Sequence, residues 1–268
     1  MAVLPRRYLN CVLYVYPDRK AAEEGDPTGG TGFMAARRIG QDDQVFLISN
    51  RHVIEPMTEP YIRVNKLAGG SEAIRVQKGW WKDHPDGDDI SAAQVNLPPY
   101  VYEVAWVYEG AFVTQSTIQS YNIGLGDQVV MLGRLPTHDG KIRNMPSARF
   151  GHISILPSEP VENKFGHLQE TFVAEYYSIA GYSGSPVFVY FPVDTIAETA
   201  LENAFGRWLL GINWMHFDTP EDVKSRDDNP TEVGAYINTH TGMSGVIPAW
   251  RIASLMATFG SPGSIQHS

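Results

Sequence analysis

Short apolar runs, each cut off by glycine, proline or aspartate, constrain this chain more than any other feature. They include NCVLYVY (10–16), TGFMAARR (31–38), QVFLISN (44–50), YIRVNK (61–66), AIRVQ (73–77) and ISAAQV (90–95). A second series follows: DQVVMLGR (127–134), ARFGHISIL (148–156), TFVAEYY (171–177), PVFVYF (186–191), RWLLGINWMHF (207–217) and VGAYIN (233–238). Runs of this length, with 25 glycines and 18 prolines to break them, suit strands joined by tight turns. The expected class is all-β, a barrel or a sandwich.

Two segments depart from that pattern. PAWRIASLMATFG (248–260) carries Ile252, Leu255, Met256 and Phe259 on one stripe, with Pro248 at its start and Gly260 at its end, and predicts a C-terminal helix. VDTIAETALENAF (193–205) also has helical spacing. Periodicity is weak between Tyr108 and Gly124, and the acidic stretch 219–232 reads as a solvated loop. There is no repeat, low-complexity tract or long linker. Residues 1–260 are therefore expected to form one unit, with 261–268 as a flexible tail.

Charge and cysteine usage exclude several function classes. The net charge is −9, and the only paired arginines are Arg6-Arg7 and Arg37-Arg38. Such a surface is poorly suited to neutralising a phosphate backbone, so no nucleic-acid partner is expected. No run approaches the ~20 apolar residues of a membrane span, and the N-terminus lacks the pattern of a secretory leader. Cys11 is the single cysteine, so no intrachain disulfide forms, and its strand context makes it a core residue. A soluble, cytoplasmic protein is expected. Apart from His52, the histidines at 84, 138, 152, 167, 216, 240 and 267 form no metal-ligand spacing, so neither metal nor cofactor is expected.

Three segments carry chemistry, in this order: SNRHVI (49–54), DGDDISAA (86–93) and GYSGSP (181–186). A serine hydroxyl attacks a carbonyl only if a histidine takes its proton and a carboxylate holds that histidine in the right tautomer. His52, Asp89 and Ser183 are the residue types needed. Asp89 is preferred over Asp86 and Asp88 because it abuts a strand, which leaves Asp88 to solvent. The glycines flanking the serine allow backbone N–H groups, those of Gly181 and Ser183, to converge on an oxyanion. An α/β-hydrolase elbow is excluded. It requires Gly-X-Ser-X-Gly with the histidine last, whereas Ser185 stands at the second glycine position here.

The ordered set GTGFMA (30–35), SNRHVI, DDISAA, LGDQVVMLG (125–133), FGHIS (150–154), GYSGSP, LLGINW (209–214) and SGVIPAWRI (244–252) resembles the trypsin-like serine peptidases, most closely their bacterial HtrA/Deg-like branch. The resemblance implies two six-stranded antiparallel β-barrels, about 1–110 and 125–260, with a C-terminal helix and the site between them. It implies peptide-bond hydrolysis through an acyl-enzyme, with His52 as base, Asp89 as its orienting carboxylate and Ser183 as nucleophile. Ile212, Asn213 and Trp214 are implied as the strand that pairs with substrate. Gly245 is implied as a wall of the specificity pocket, and Tyr177 as its floor, which favours small or aliphatic residues at the cleavage site.

The departures narrow what carries over. Tyr182 precedes the serine where secreted trypsins have the aspartate that pairs with a cut N-terminus, so that form of activation is not implied. No acidic residue stands at 177 to select lysine or arginine. The expected partners are a protein or peptide substrate and a regulatory protein that orders the loops. A catalytically silent peptide-binding module is the competing class.

Overall fold

The computed structural model describes residues 6–138, 140–179, 181–190, 207–222 and 236–260. In the N-terminal half, α1 (Arg6–Leu9) leads into β1 (Val12–Tyr16), then α2 (Arg19–Glu24), β2 (Gly30–Ile39), β3 (Asp42–Ser49) and α3 (Arg51–Ile54). Strands β4 (Tyr61–Asn65), β5 (Ser71–Arg75), β6 (Trp81–Asp83), β7 (Ser91–Gln94) and β8 (Val107–Tyr108) complete it. The C-terminal half begins with α4 (Gln115–Tyr121) and continues through β9 (Gln128–Gly133), β10 (Ser147–Ile155), β11 (Val161–Glu162), β12 (Leu168–Gln169) and β13 (Phe172–Glu175). Then come β14 (Pro186–Tyr190), β15 (Arg207–Asp222), β16 (Tyr236–Pro248) and α5 (Ala249–Ala257).

The two halves close differently. Strands β10, β13, β16, β15, β14 and β9 form a closed barrel. The N-terminal strands run β5-β4-β1-β2-β3-β7-β6, with β8 added in parallel to β2, and no ladder joins β5 to β6. The expected first six-stranded barrel is thus an open half-barrel. Both of its end strands are short, five residues in β5 and three in β6, which limits the ladder either could offer the other.

Side-chain alternation explains why the strands read as continuous apolar runs. In β1, Val12, Tyr14 and Tyr16 face one core cluster while Leu13 and Val15 face another. In β14, Phe188 joins the same first cluster while Val187 and Val189 fill the closed barrel. The first cluster is therefore a core shared between the two halves, and each sheet is covered on both faces. α5 docks onto that shared core through Ile252, Leu255 and Met256. Cys11 lies in it too, and burial pushes its thiol up to about 12, so it stays protonated and structural.

Some local readings change. α4 occupies part of the stretch that lacked periodicity. Its ends carry the signal instead: Thr114 Oγ1 accepts from Thr117 N at 3.1 Å, and Asn122 caps the other end at φ 51°. The stretch 219–222, expected in a loop, extends β15 in a two-stranded arm paired with β16 from Tyr236 onward. The expected helix 193–205 lies outside the described residues.

Candidate active site

His52 sits in the one-turn α3, directly after β3, and Asp89 just before β7, the strand paired to β3. That pairing sets Ser49 opposite Ser91 and brings the histidine and the carboxylate together. His52 uses both oxygens of Asp89: its backbone N donates to Oδ1 at 2.8 Å, and its Nδ1 lies 2.5 Å from Oδ2. A buried carboxylate at Nδ1 places the ring proton there and leaves Nε2 as the basic nitrogen. Asp89 is 1% exposed. Its carbonyl accepts from Asn50 Nδ2 at 2.8 Å, and its N–H donates to Gln169 Oε1 at 2.9 Å.

Asp88 was expected to face solvent, and it does not. It is as buried as Asp89, because Arg251 Nε and His167 Nε2 donate to its two carboxylate oxygens, the latter at 3.0 Å. The adjacent His84 is also buried, and desolvation is the main cause that holds its ionisation below the usual histidine range.

Ser183 lies in a loop fixed by backbone hydrogen bonds. Tyr182 N donates to Ile179 O at 3.2 Å, and Gly181 holds φ 99°, in the left-handed region that favours glycine. A Cβ on Gly181 would stand 2.3 Å from Pro136 Cγ. At Gly184, φ 88°, a Cβ would stand 1.9 Å from the carbonyl oxygen of Thr31. Gly184 N donates to Asn213 O, and Ser185 N to Tyr182 O. Among the described residues, the N–H groups of Gly181 and Ser183 have no hydrogen-bond partner, in contrast to those of Tyr182, Gly184 and Ser185.

The start of β2 ties the two parts of the site together. Thr31 N donates to Ser183 O at 2.9 Å, and Ser49 Oγ donates to Thr31 O at 2.8 Å. Gly30 is wedged between the neighbours of the histidine and the serine: a Cβ there would lie 2.9 Å from Val53 Cγ1 and 3.2 Å from Ser183 O. Among the described residues, no hydrogen bond joins His52 to Ser183.

Tyr182 has a definite job. It is fully buried in the closed barrel, and its hydroxyl lies 2.5 Å from Ser147 Oγ and accepts from Arg149 Nε at 3.2 Å. The residue before Ser183 is thus anchored inside its own barrel.

The substrate-facing residues are rearranged relative to expectation. Ile212 pairs with Pro186 and Ile247, and both backbone groups of Asn213 bind the Gly184–Ser185 segment. Neither offers free backbone. A register shift follows between Asn213 and Met215, and Trp214 has no partner in either ladder of β15. The Asn213 side chain instead ties the loop from below: Nδ2 donates to Tyr182 O at 3.2 Å, and Oδ1 accepts from Tyr176 Oη at 3.1 Å. Tyr177 is no pocket floor. Strand alternation turns Tyr176 inward and leaves Tyr177 56% exposed, its ring 5.0 Å from that of His240, which stacks in turn on His216 at 4.8 Å. Gly245 backs Trp214, whose Nε1 would be 2.6 Å from a Cβ at that position.

Sequence reading missed Gln169, Asn163 and Arg251. Gln169 and Asn163 belong to or adjoin short strands with no periodic signal, and Arg251 lies off the apolar stripe of its helix.

No protein-family model matches the sequence, and no curated protein is similar to it. Solved structures do match in fold. The apo MamO protease domain from Magnetospirillum magneticum superposes with a TM-score of 0.56 at 13% identity, covering 96% of this chain and all of that one. The inactive form of Rv3671c protease gives 0.52 at 13% identity, over 95% and 91% of the two chains. Deg5 gives 0.51 at 13%, over 92% and 88%. The chain shares its fold with these structures, a chymotrypsin-like arrangement of strands with a C-terminal helix.

Proposed function

We propose that this protein is a serine endopeptidase that uses His52, Asp89 and Ser183, and that it rests until a substrate or protein partner brings serine and histidine into contact. One observation carries the reading. Among the described residues of the loop around Ser183, the two N–H groups left without partners are those of Gly181 and Ser183, the pair an oxyanion needs. The His52–Asp89 pair and the protease fold support it.

In this mechanism His52 Nε2 takes the Ser183 proton as Oγ attacks a peptide carbonyl. The Gly181 and Ser183 N–H groups hold the resulting oxyanion. His52 then protonates the leaving amine, and water repeats the sequence on the acyl-enzyme. Hydrogen bonds of this kind are commonly long before substrate binds.

The second reading, a silent peptide-binding module, draws on the absence of a His52–Ser183 hydrogen bond among the described residues. Hydrolysis of an unfolded polypeptide separates the two. Ser183→Ala is expected to abolish cleavage, and Asp89→Asn to lower kcat by about 10⁴ through the wrong histidine tautomer. Near-normal cleavage by either variant contradicts the assignment.

A further inference from the structure

The segment that presents the triad carboxylate is built by the N-terminal half but fastened by side chains of the C-terminal half. Three fastenings meet between residues 84 and 89. Gln169, at the end of β12 and 1% exposed, accepts the N–H of Asp89 at 2.9 Å. Asn163 Nδ2 lies 3.1 Å from Gly87 O and 2.9 Å from the same Gln169 oxygen, so one amide steadies the other. Arg251, in the first turn of α5, donates from Nε to Asp88 Oδ2 and from Nη2 to Asp86 Oδ2 at 2.9 Å.

We propose that Arg251 and Gln169 are positioning residues for the triad carboxylate, Arg251 by neutralising and clamping Asp88 and Gln169 by holding the Asp89 backbone. The inference rests on the triad reading and adds how that triad is set. Two adjacent buried carboxylates repel each other, and a guanidinium on one of them removes that repulsion while fixing geometry through two N–H groups. Burial works against the Arg251 charge, yet the hydrogen bonds it donates to Asp88 and Asp86, with their charges, outweigh it and hold the guanidinium above its ordinary range. The groups facing Asp88 are Arg251 from α5, His167 from the segment between β11 and β12, His84 and Asp86 on its own loop, and the neighbouring Asp89–His52 pair. His84 Nδ1 accepts from Asp86 N at 3.2 Å, which marks it as neutral and leaves Arg251 as the permanent positive charge.

The clamp predicts effects of opposite sign. In Arg251→Met the uncompensated Asp88 charge favours the cationic form of His52, so the pH midpoint of the His52 ring signal rises. In Asp88→Asn the unmatched Arg251 charge disfavours that cation, and the midpoint falls. Each shift is expected to be about half a pH unit or more. The double variant returns toward the unmodified protein, and Arg251→Lys, which keeps the charge, stays close to it. Gln169→Met is expected to lower kcat about tenfold with KM little changed, because it loosens the orientation of His52 and not substrate contact.

The test is an NMR pH titration of the His52 ring in full-length protein carrying Ser183→Ala, repeated with each of these variants, so that no turnover is needed. Should Arg251→Met fail to fold, Asp88→Asn and Arg251→Lys still carry the sign. Opposite shifts in Arg251→Met and Asp88→Asn support the clamp. Shifts of the same sign, or none in the variants that fold, overturn it. If the shifts split as expected while Ser183 of the unmodified protein stays inert to a fluorophosphonate, the clamp stands and the peptidase reading falls.

Discussion

The two halves of the molecule hold their parts of the site with different balances of inner and outer contacts. The closed barrel holds Ser183 from within: Asn213 binds the loop with its backbone, its amide ties Tyr182 O, and the Tyr182 side chain fills the barrel interior. The open half-barrel holds Asp89 through Asn50 and the His52 backbone, and adds supports from the other half, Gln169 on its N–H and Arg251 on the adjacent Asp88. A closed barrel supplies its own rigid frame. An open sheet borrows one, and the borrowed contacts make the carboxylate sensitive to how the halves sit together. Tyr182 also answers a question posed by the sequence: its buried hydroxyl contacts give the Ser183 loop an anchor inside the barrel.

Breaking the inner anchor is expected to have the largest effect. Tyr182→Ala empties a fully buried aromatic site and should cost about 3–5 kcal/mol in urea unfolding. A cost near zero would mean that the loop does not depend on the barrel interior. Tyr182→Phe keeps the ring and removes the hydroxyl, for about 1 kcal/mol. It should slow the reaction of Ser183 while leaving the His52–Asp89 pair intact, which separates the two modes of support.

The smallest effect belongs to the outer-held loop. Burial, the main cause, keeps His84 neutral in the folded protein, and Arg251 adds to it while Asp88 and Asp86 oppose it. The unfolded chain takes up a proton as pH falls through about 6.5, before the folded chain does. Stability is therefore fully present above that pH and is lost as pH falls through the lowered folded value. His84→Gln should flatten the decline of Tm between about pH 7.5 and 5.5. An unchanged slope would remove His84 as a source of that decline.

Much of the fold was legible because strands covered on both faces leave long apolar runs, and Val12–Tyr16 and Val187–Val189 are examples. His52, Asp89 and Ser183 stand out in the sequence because the chemistry proposed for them demands particular residue types in particular turns. Asp88 was misread, because nothing local announces a partner 163 positions away on a helix. Tyr177 and the segment 212–214 were misplaced for a related reason: inward or outward orientation is set by the register shift after Asn213 and by the pairing of β13, and one residue of slip reverses a face. The closure of the second sheet and the openness of the first likewise depend on pairings far apart in sequence.

The central claim is that Ser183 is an activated nucleophile beside an oxyanion hole. The most direct test is to treat the purified protein with a fluorophosphonate and locate the adduct by peptide mass spectrometry. Selective modification of Ser183, absent in Ser183→Ala and strongly reduced in Asp89→Asn, is the predicted result. An unmodified Ser183 in folded protein, with an unfolded polypeptide present to engage the site, would contradict the claim.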